Sequence, residues 1–560
     1  MSILHVGHIR SSLQGRFEKL IDLSDLPKVL AEERQNFFLT RALAAFVIAE
    51  FASLDDATAA GAVVDGGGDN GIDAIYFDPT EKVCYIVQAK WIKSGNGSVE
   101  VGEIQKFKQG INDLLEASFD RFNKKVQARK DELLAVLEDP AAHFQIIVAY
   151  TGQQALSADA RRPLDDLVAD LNDPTELVSI RETRQGDLHD IIARGALGET
   201  VSFEVMLYEY GMITDPYVAY YGQMSVSDII AWEHFGQSLT TKNLRRFKGA
   251  TDVNDGISRT LALTPEKFWY FNNGITVLCE KLEKKPIGGV KRVSGVFSCE
   301  GASVVNGAQT VGSIIQASKA NQDALKNARV MVRLISLQNC PSDFATDVTR
   351  AANTQNRIEK RDFAALDPQQ QRLRTDLWLE YKREYAYQTG DAAPKNEAGC
   401  TLDEAAVALA CAAPDVALAV QAKREVSMLY DTIDGPPYKT LFNPSTTAER
   451  MWRAVEVMRG VDEALRGEVK ALDGKDRLIT VHGNRFVLHT VFQQFGGAGL
   501  SGPQEEFDSV KAQLAQRTKA ALAETIKAVG EKFGTAYPAS LFKNQTKCRE
   551  MTKVLLQGGN

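Results

Sequence analysis

The stretch DGGGDNGIDAIYFDPTEKVCYIVQAKW, residues 65–91, limits the folds open to this chain more than any other segment. Gly66 to Gly71 satisfy G-x-G-x-x-G, the spacing of a dinucleotide-binding loop. That loop needs a strand before the glycines and a helix opening on them, so that the helix N-terminus meets the pyrophosphate. Here the glycines run into Ile72-Asp73-Ala74-Ile75-Tyr76-Phe77, then the turn residues Asp78-Pro79-Thr80, then Val83-Cys84-Tyr85-Ile86-Val87. Two β-branched and aromatic runs around a short turn predict a hairpin. A hairpin lacks the dipole and the free N–H groups that hold a phosphate, so these glycines are expected to shape a turn.

Side chains alternate along a strand, so Gln88 and Lys90 share a face and Ala89 takes the other. Asp73 opens the partner strand and is brought back beside Gln88 and Lys90. An acid, an amide carbonyl and an ammonium thus converge at one sheet end, where oxygen ligands can hold a divalent cation and the lysine can touch a water or a phosphate. The bland alternative is that Asp serves the turn and Lys is solvated.

The phrase GID…QAK resembles the PD-(D/E)xK nuclease superfamily in its Mrr-like variant, where Gln stands for the usual acid. The resemblance implies a restriction-endonuclease-like core with Asp73, Gln88, Lys90 and Glu50 as the catalytic set. Asp73, Glu50, Asp69 and Gln88 are its implied ligands for Mg²⁺, or Mn²⁺ in its place. Glu50 comes from the preceding helix, in RALAAFVIAEFASL, and Asp69 of the glycine turn is the second choice for the extra carboxylate.

At 560 residues the chain is expected to form about three domains. The pattern predicts an α/β and α+β multidomain protein: the nuclease-like domain over 1–160, an αβ connector over 161–216, a mixed α/β module over 217–400, and a mainly helical region over 401–560. No run of 18 apolar residues offers a membrane span, and the N-terminus has no secretory apolar core. A cytoplasmic protein is expected. Seven scattered cysteines without a C-x-x-C pair, and seven dispersed histidines, predict buried thiols and no zinc site. The net charge of −8 argues against blanket adhesion to polyanions, but 217–375 carries 21 Lys+Arg against 14 Asp+Glu.

That middle stretch holds the phrases FWYFNNGITVLCE, VVNGAQTVGSI and TRAANTQNRIEKRDF. Their amides offer paired donors and acceptors for base edges, phosphates or sugars, and equally they suit turns. Together the phrases resemble the abortive infection phage resistance (AIPR) family, which carries NNGIT and NG-x-QT phrases and an Asn/Gln-rich segment. Arg245, Asn273, Asn306, Gln309 and Arg357 are the expected nucleic-acid contacts. The two resemblances imply a metal-dependent nuclease in anti-phage defence, with DNA favoured over RNA and a phage or host cue releasing it. Cutting both strands of a duplex takes two sites, which a homodimer would supply. The alternative is an inactive nucleic-acid-binding or regulatory protein, because Gln88 carries no charge. No G-x-x-x-x-G-K-[ST] loop or G-x-S-x-G elbow supports an NTPase or a serine hydrolase.

Overall fold

The computed structural model describes residues 2–26, 30–173, 175–197, 201–240, 252–286, 293–320, 323–341, 343–354, 364–388, 390–395, 397–495 and 497–557. The chain divides into two compact units, residues 1–192 with 359–560, and residues 193–358. It is mixed α/β with a helical C-terminal region. Among the described residues no helix is long and apolar enough to cross a membrane.

The first unit opens with helices α1 (Ser2–Phe17), α2 (Ala31–Ala52) and α3 (Asp56–Gly61). Strands β1 (Ala74–Asp78) and β2 (Val83–Lys90) form the expected antiparallel hairpin, in register Ala74↔Val87 to Asp78↔Val83. Helix α4 (Val101–Leu115) follows, and β3 (His143–Tyr150) and β4 (Val178–Thr183) extend the sheet in parallel, giving the order β1-β2-β3-β4. The fourth strand comes from the stretch that the sequence sets apart as a connector.

Strand alternation assigns the two sheet faces. Tyr85, Val87 and Ala89 pack on α2, while Cys84 and Ile86 meet Ile104, Phe107 and Ile111 of α4. From Arg41 to Ala49 every residue of α2 is buried. A helix apolar nearly all round belongs inside a protein, and α2 lies between the sheet and α1.

The C-terminal part of this unit is built from helices such as Leu402–Ala412, Ala448–Ala471, Asn484–Phe495 and Gln504–Lys532, around one large core. It also completes the N-terminal core, to which Leu478, Tyr537 and Ala539 contribute. Tyr537 donates to the Leu137 carbonyl at 3.1 Å, a ring nitrogen of His482 lies 2.7 Å from the same oxygen, and Arg477 pairs with Glu138. Burial, then the nearby Lys423, lowers the His482 pKa to about 3. This is a neutral packing histidine.

The second unit is a seven-stranded sheet in the order β10-β7-β11-β6-β5-β9-β8. Its strands are β5 (Phe203–Ile213), β6 (Ala219–Ser225), β7 (Ile275–Cys279), β8 (Lys281–Lys284), β9 (Ser294–Glu300), β10 (Ser303–Asn306) and β11 (Arg329–Ser336). Only β7 and β11 run parallel. One face, with Val205, Leu207, Phe297 and Val332, packs on the helices Val226–Ile230 and Ala308–Ala320.

Candidate metal centre

The glycine turn is pressed onto α4. Gly71 has φ +81°, and a Cβ there would lie 2.8 Å from the Phe107 backbone nitrogen; one on Gly110 would lie 2.2 Å from the Asn70 carbonyl oxygen. Left-handed backbone and close approach both demand glycine. The turn presents Asp65, Asp69 and Asp73, whose carboxylate oxygens come within 4.8 Å of one another. All three border a cavity of about 510 Å³ together with Gln88, Lys90, Glu103 and Lys106.

Each carboxylate is held differently. Asp73 lies one residue beyond the Ala74↔Val87 pair, beside Gln88, and its Oδ2 accepts from the Ala89 N–H at 2.6 Å. Asp69 accepts from the N–H groups of Gly71 (2.8 Å) and Gly66 (3.2 Å) and from Lys106 Nζ (2.9 Å). Asp65 accepts from Nε of Arg41 at 2.8 Å. Arg41 is fully buried and also grips Asp25, at 2.7 and 2.9 Å. Burial opposes its charge, yet the hydrogen bonds it donates to Asp25 and Asp65, with their charges, outweigh this and raise its pKa.

Burial, then the charge of Asp65, pushes the Asp73 carboxyl well above the usual carboxylate range, with Asp69 adding to the effect. Burial also raises Asp65, against the pull of Arg41. Clustered carboxylates resist joint ionisation unless a cation joins them.

Gln88 and Lys90 point the same way, as alternation requires. Gln88 Nε2 donates to the Glu103 carbonyl at 3.2 Å, and Lys90 pairs with the Glu103 carboxylate. This leaves Gln88 Oε1 buried with no hydrogen-bond partner. An orphaned buried acceptor costs about 1–3 kcal/mol, and a hard cation would satisfy it. The donor set is all oxygen, which suits Mg²⁺ or Mn²⁺ and not zinc.

The expected residues Asp69, Asp73, Gln88 and Lys90 therefore share one cavity. Glu50 does not border it: its carboxylate accepts from Arg16 at 2.7 Å, and Arg16 also pairs with Asp56. The physical reason is the course of α2, whose buried second half carries Glu50 to the α1 contact while its first half passes the site. The α2 carboxylate at the cavity is Glu33. Sequence reasoning missed Asp65, Glu103 and Arg41. Asp65 opens the quoted stretch and Glu103 follows an exposed loop, and neither has a spacing that marks it.

In the second unit, the two amide-rich phrases meet. Asn306 pairs with Thr276 across β10 and β7, Asn272 Nδ2 donates to Thr310 Oγ1 at 3.1 Å, and Asn272 Oδ1 accepts from the Gly274 N–H at 2.9 Å. A Cβ on Gly307 would lie 2.7 Å from the Gly274 oxygen. Asn273 is exposed, and Asn306 and Gln309 are half-buried. Arg245 and Arg357 lie outside the described residues. Asn272-Asn273-Gly274 joins the short helix Phe268–Phe271 to β7, so it is not a hairpin turn.

Fold and site together define a multidomain α/β protein with a carboxylate-lined cavity in its N-terminal part. The family described as AIPR protein matches residues 241–545, just over half of the chain. The chain belongs to the AIPR family, which implies a role in abortive infection phage defence. The match begins after the acidic cavity, which owes nothing to it. No curated protein and no solved structure gives a match.

Proposed function

We propose that this chain is a divalent-metal-dependent nuclease acting in abortive infection, with its catalytic cavity at Asp65, Asp69, Asp73, Gln88 and Lys90. One observation carries the reading: three carboxylates gather within 4.8 Å in the cavity that Gln88, with its orphaned amide oxygen, also lines. Those carboxylates and the Gln88 carbonyl would hold Mg²⁺, or Mn²⁺ in its place. A cation bound there lowers the pKa of a ligated water and offsets phosphate charge. Lys90, exchanged from Glu103 onto the scissile phosphate, would stabilise charge that grows in the transition state. Arg41 keeps Asp65 oriented, and the Ala89 N–H keeps Asp73 oriented. Resemblance to the PD-(D/E)xK superfamily favours DNA over RNA; in the defence role a phage or host cue would release cutting, and a homodimer would supply the two sites that a duplex needs.

A second reading rests on the Lys90–Glu103 ion pair and the uncharged Gln88: a nucleic-acid-binding or regulatory protein that no longer cuts. The test incubates supercoiled DNA, linear DNA and RNA with Mg²⁺, Mn²⁺ or EDTA, and compares wild type with Asp73→Ala, Asp65→Ala and Lys90→Ala. Cleavage that needs the metal and all three residues supports the nuclease. Cleavage that survives chelation, or is equal in the variants, rules this site out. Binding without cleavage under every condition supports the second reading.

A further inference from the structure

The face of the second unit's sheet that turns away from the helices is unlike an ordinary solvated surface. Across β5, β6 and β11 it sets Tyr208, Tyr221, Arg329 and Arg333 side by side, in the register Tyr208↔Gln223, Gly211↔Tyr221 and Tyr221↔Arg333. Tyr221 stays 42% exposed while its ring lies over Gly211, where a Cβ would come within 2.1 Å of the ring. The Arg329 guanidinium sits 4.9 Å from the centre of the Tyr208 ring. Both rings are thus laid down on the sheet, and the two arginines stand beside them. The acids on this face are engaged: Glu204 pairs with Lys285, and Glu209 accepts from Gln223 at 2.8 Å.

A second group of rings stands just before β7, the strand that pairs with β11. Trp269, Tyr270 and Phe271 precede the amide turn, and Tyr270 and Phe271 are 75% and 67% exposed. The turn is fixed to the sheet at Gly274, where a Cβ would lie 2.8 Å from the Met331 oxygen. Exposed Met331 lies between Arg329 and Arg333 on β11. Arg333 in turn donates to Thr276 at 2.9 Å, two residues past the same glycine. Through the β7–β11 pairing the turn and its rings lie next to the arginines of β11, and together they form a track of stacking and polar groups.

We propose that this track binds single-stranded nucleic acid. Exposed rings offer π-faces on which unpaired bases stack irrespective of sequence, arginines follow the phosphates, and amides read base edges or sugars. A duplex hides its base faces and gains nothing from the rings. The proposal does not depend on the metal centre.

The test is fluorescence anisotropy of the full chain with labelled 12-nucleotide dT and U strands and a 12-base-pair duplex, all in EDTA so that nothing is cut. Single strands are expected to bind better than the duplex. Tyr270→Ala/Phe271→Ala and Tyr221→Ala should each weaken strand binding about five-fold or more, as losing a stacking partner does. Arg333→Ala should lower the salt dependence by about one phosphate contact. If Tyr221→Ala melts early, the double variant decides, since its two rings are mostly in solvent. Equal or tighter duplex binding with the ring variants unaffected overturns the proposal. So does failure of every oligonucleotide to bind, which would leave the face to a protein. Cleavage without strand binding sinks this proposal alone, whereas strand binding without cleavage sinks only the nuclease.

Discussion

The acidic cavity and the open sheet face use polar chemistry in opposite ways. In the cavity, Asp69, Asp73 and Gln88 are buried and their polar atoms are nearly all satisfied within the fold, and the exception, Gln88 Oε1, is what gives the place a chemical meaning. On the sheet face, rings and guanidinium groups are left in solvent with partners they can readily give up. A buried unsatisfied acceptor is costly and so selects a tightly fitting cation. An exposed ring costs little and accepts many bases. One region is built for one small ion at fixed distances, the other for a long, variable ligand.

The sharpest break between them comes from substitutions that should affect one region alone. Asp73→Ala is expected to cut the cleavage rate by about a hundred-fold or more, the scale of losing a charge-stabilising group, with strand binding in EDTA unchanged; Lys90→Ala should cut the rate similarly. Tyr270→Ala/Phe271→Ala should do the reverse, weakening binding while leaving the metal-dependent chemical step at saturating substrate intact. Single-turnover rates and anisotropy on the same preparations decide this. If Asp73→Ala also abolishes strand binding, the two regions are not separate.

Glycine tests how rigidly the cavity is built. Gly71→Ala forces a left-handed residue against the Phe107 backbone, and such strain costs about 1–3 kcal/mol. Denaturant melts should show this loss, and cleavage should fall further than stability does because the turn carries Asp69 and flanks Asp73. At Gly7, inside α1 where a Cβ meets nothing, Ala should leave cleavage unchanged and raise stability by about 0.5–1 kcal/mol.

Much of the cavity was legible because strand alternation and hairpin register are local. From Asp73, Gln88 and Lys90 alone, period-two geometry places an acid, an amide and an amine at one sheet end, and the structure brings all three to one cavity. Asp65 and Glu103 were not legible, since their positions depend on how the glycine turn and α4 pack. The same limit explains β4, whose pairing with β3 spans a helix. In the second unit the phrases NNGIT and NGAQT were visible as turns. Their meeting across β7 and β10 was not, because 23 residues separate the end of β7 from the start of β10 in a pairing that only folding reveals.

Titration distinguishes a metal site from a structural acid cluster. The folded Asp73 pKa lies above its ordinary value of 3.8, so the folded state holds its proton more tightly than the unfolded chain. Stability therefore carries no penalty from this group below pH 3.8 and loses ground as pH rises above it. Asp73→Asn should raise the Tm of the metal-free protein at neutral pH. Added Mg²⁺ should stabilise wild type by about 2.7 kcal/mol at a hundred times Kd, and do so more at higher pH as the cation displaces the proton. Asp73→Asn should lose that response. A Tm indifferent to Mg²⁺ in wild type would mean that the cluster is structural.

The smallest expected effect belongs to Glu50, and it is informative because the PD-(D/E)xK resemblance puts this residue in the site and the fold does not. Its partner Arg16 joins it to α1 and, through Asp56, to α3, with both members of the pair about one-third exposed. A partly solvated pair of this kind contributes about 0.5–1 kcal/mol. Glu50→Gln keeps the shape and one hydrogen-bond acceptor, so the melt should shift slightly and cleavage should hold within about two-fold. Glu33→Gln, at the mouth of the cavity, should alter cleavage more than it alters stability. If Glu50→Gln silences cleavage with its fold intact, α2 must present a different face to the cavity than this structure shows, and the ligand set has to be redrawn around it.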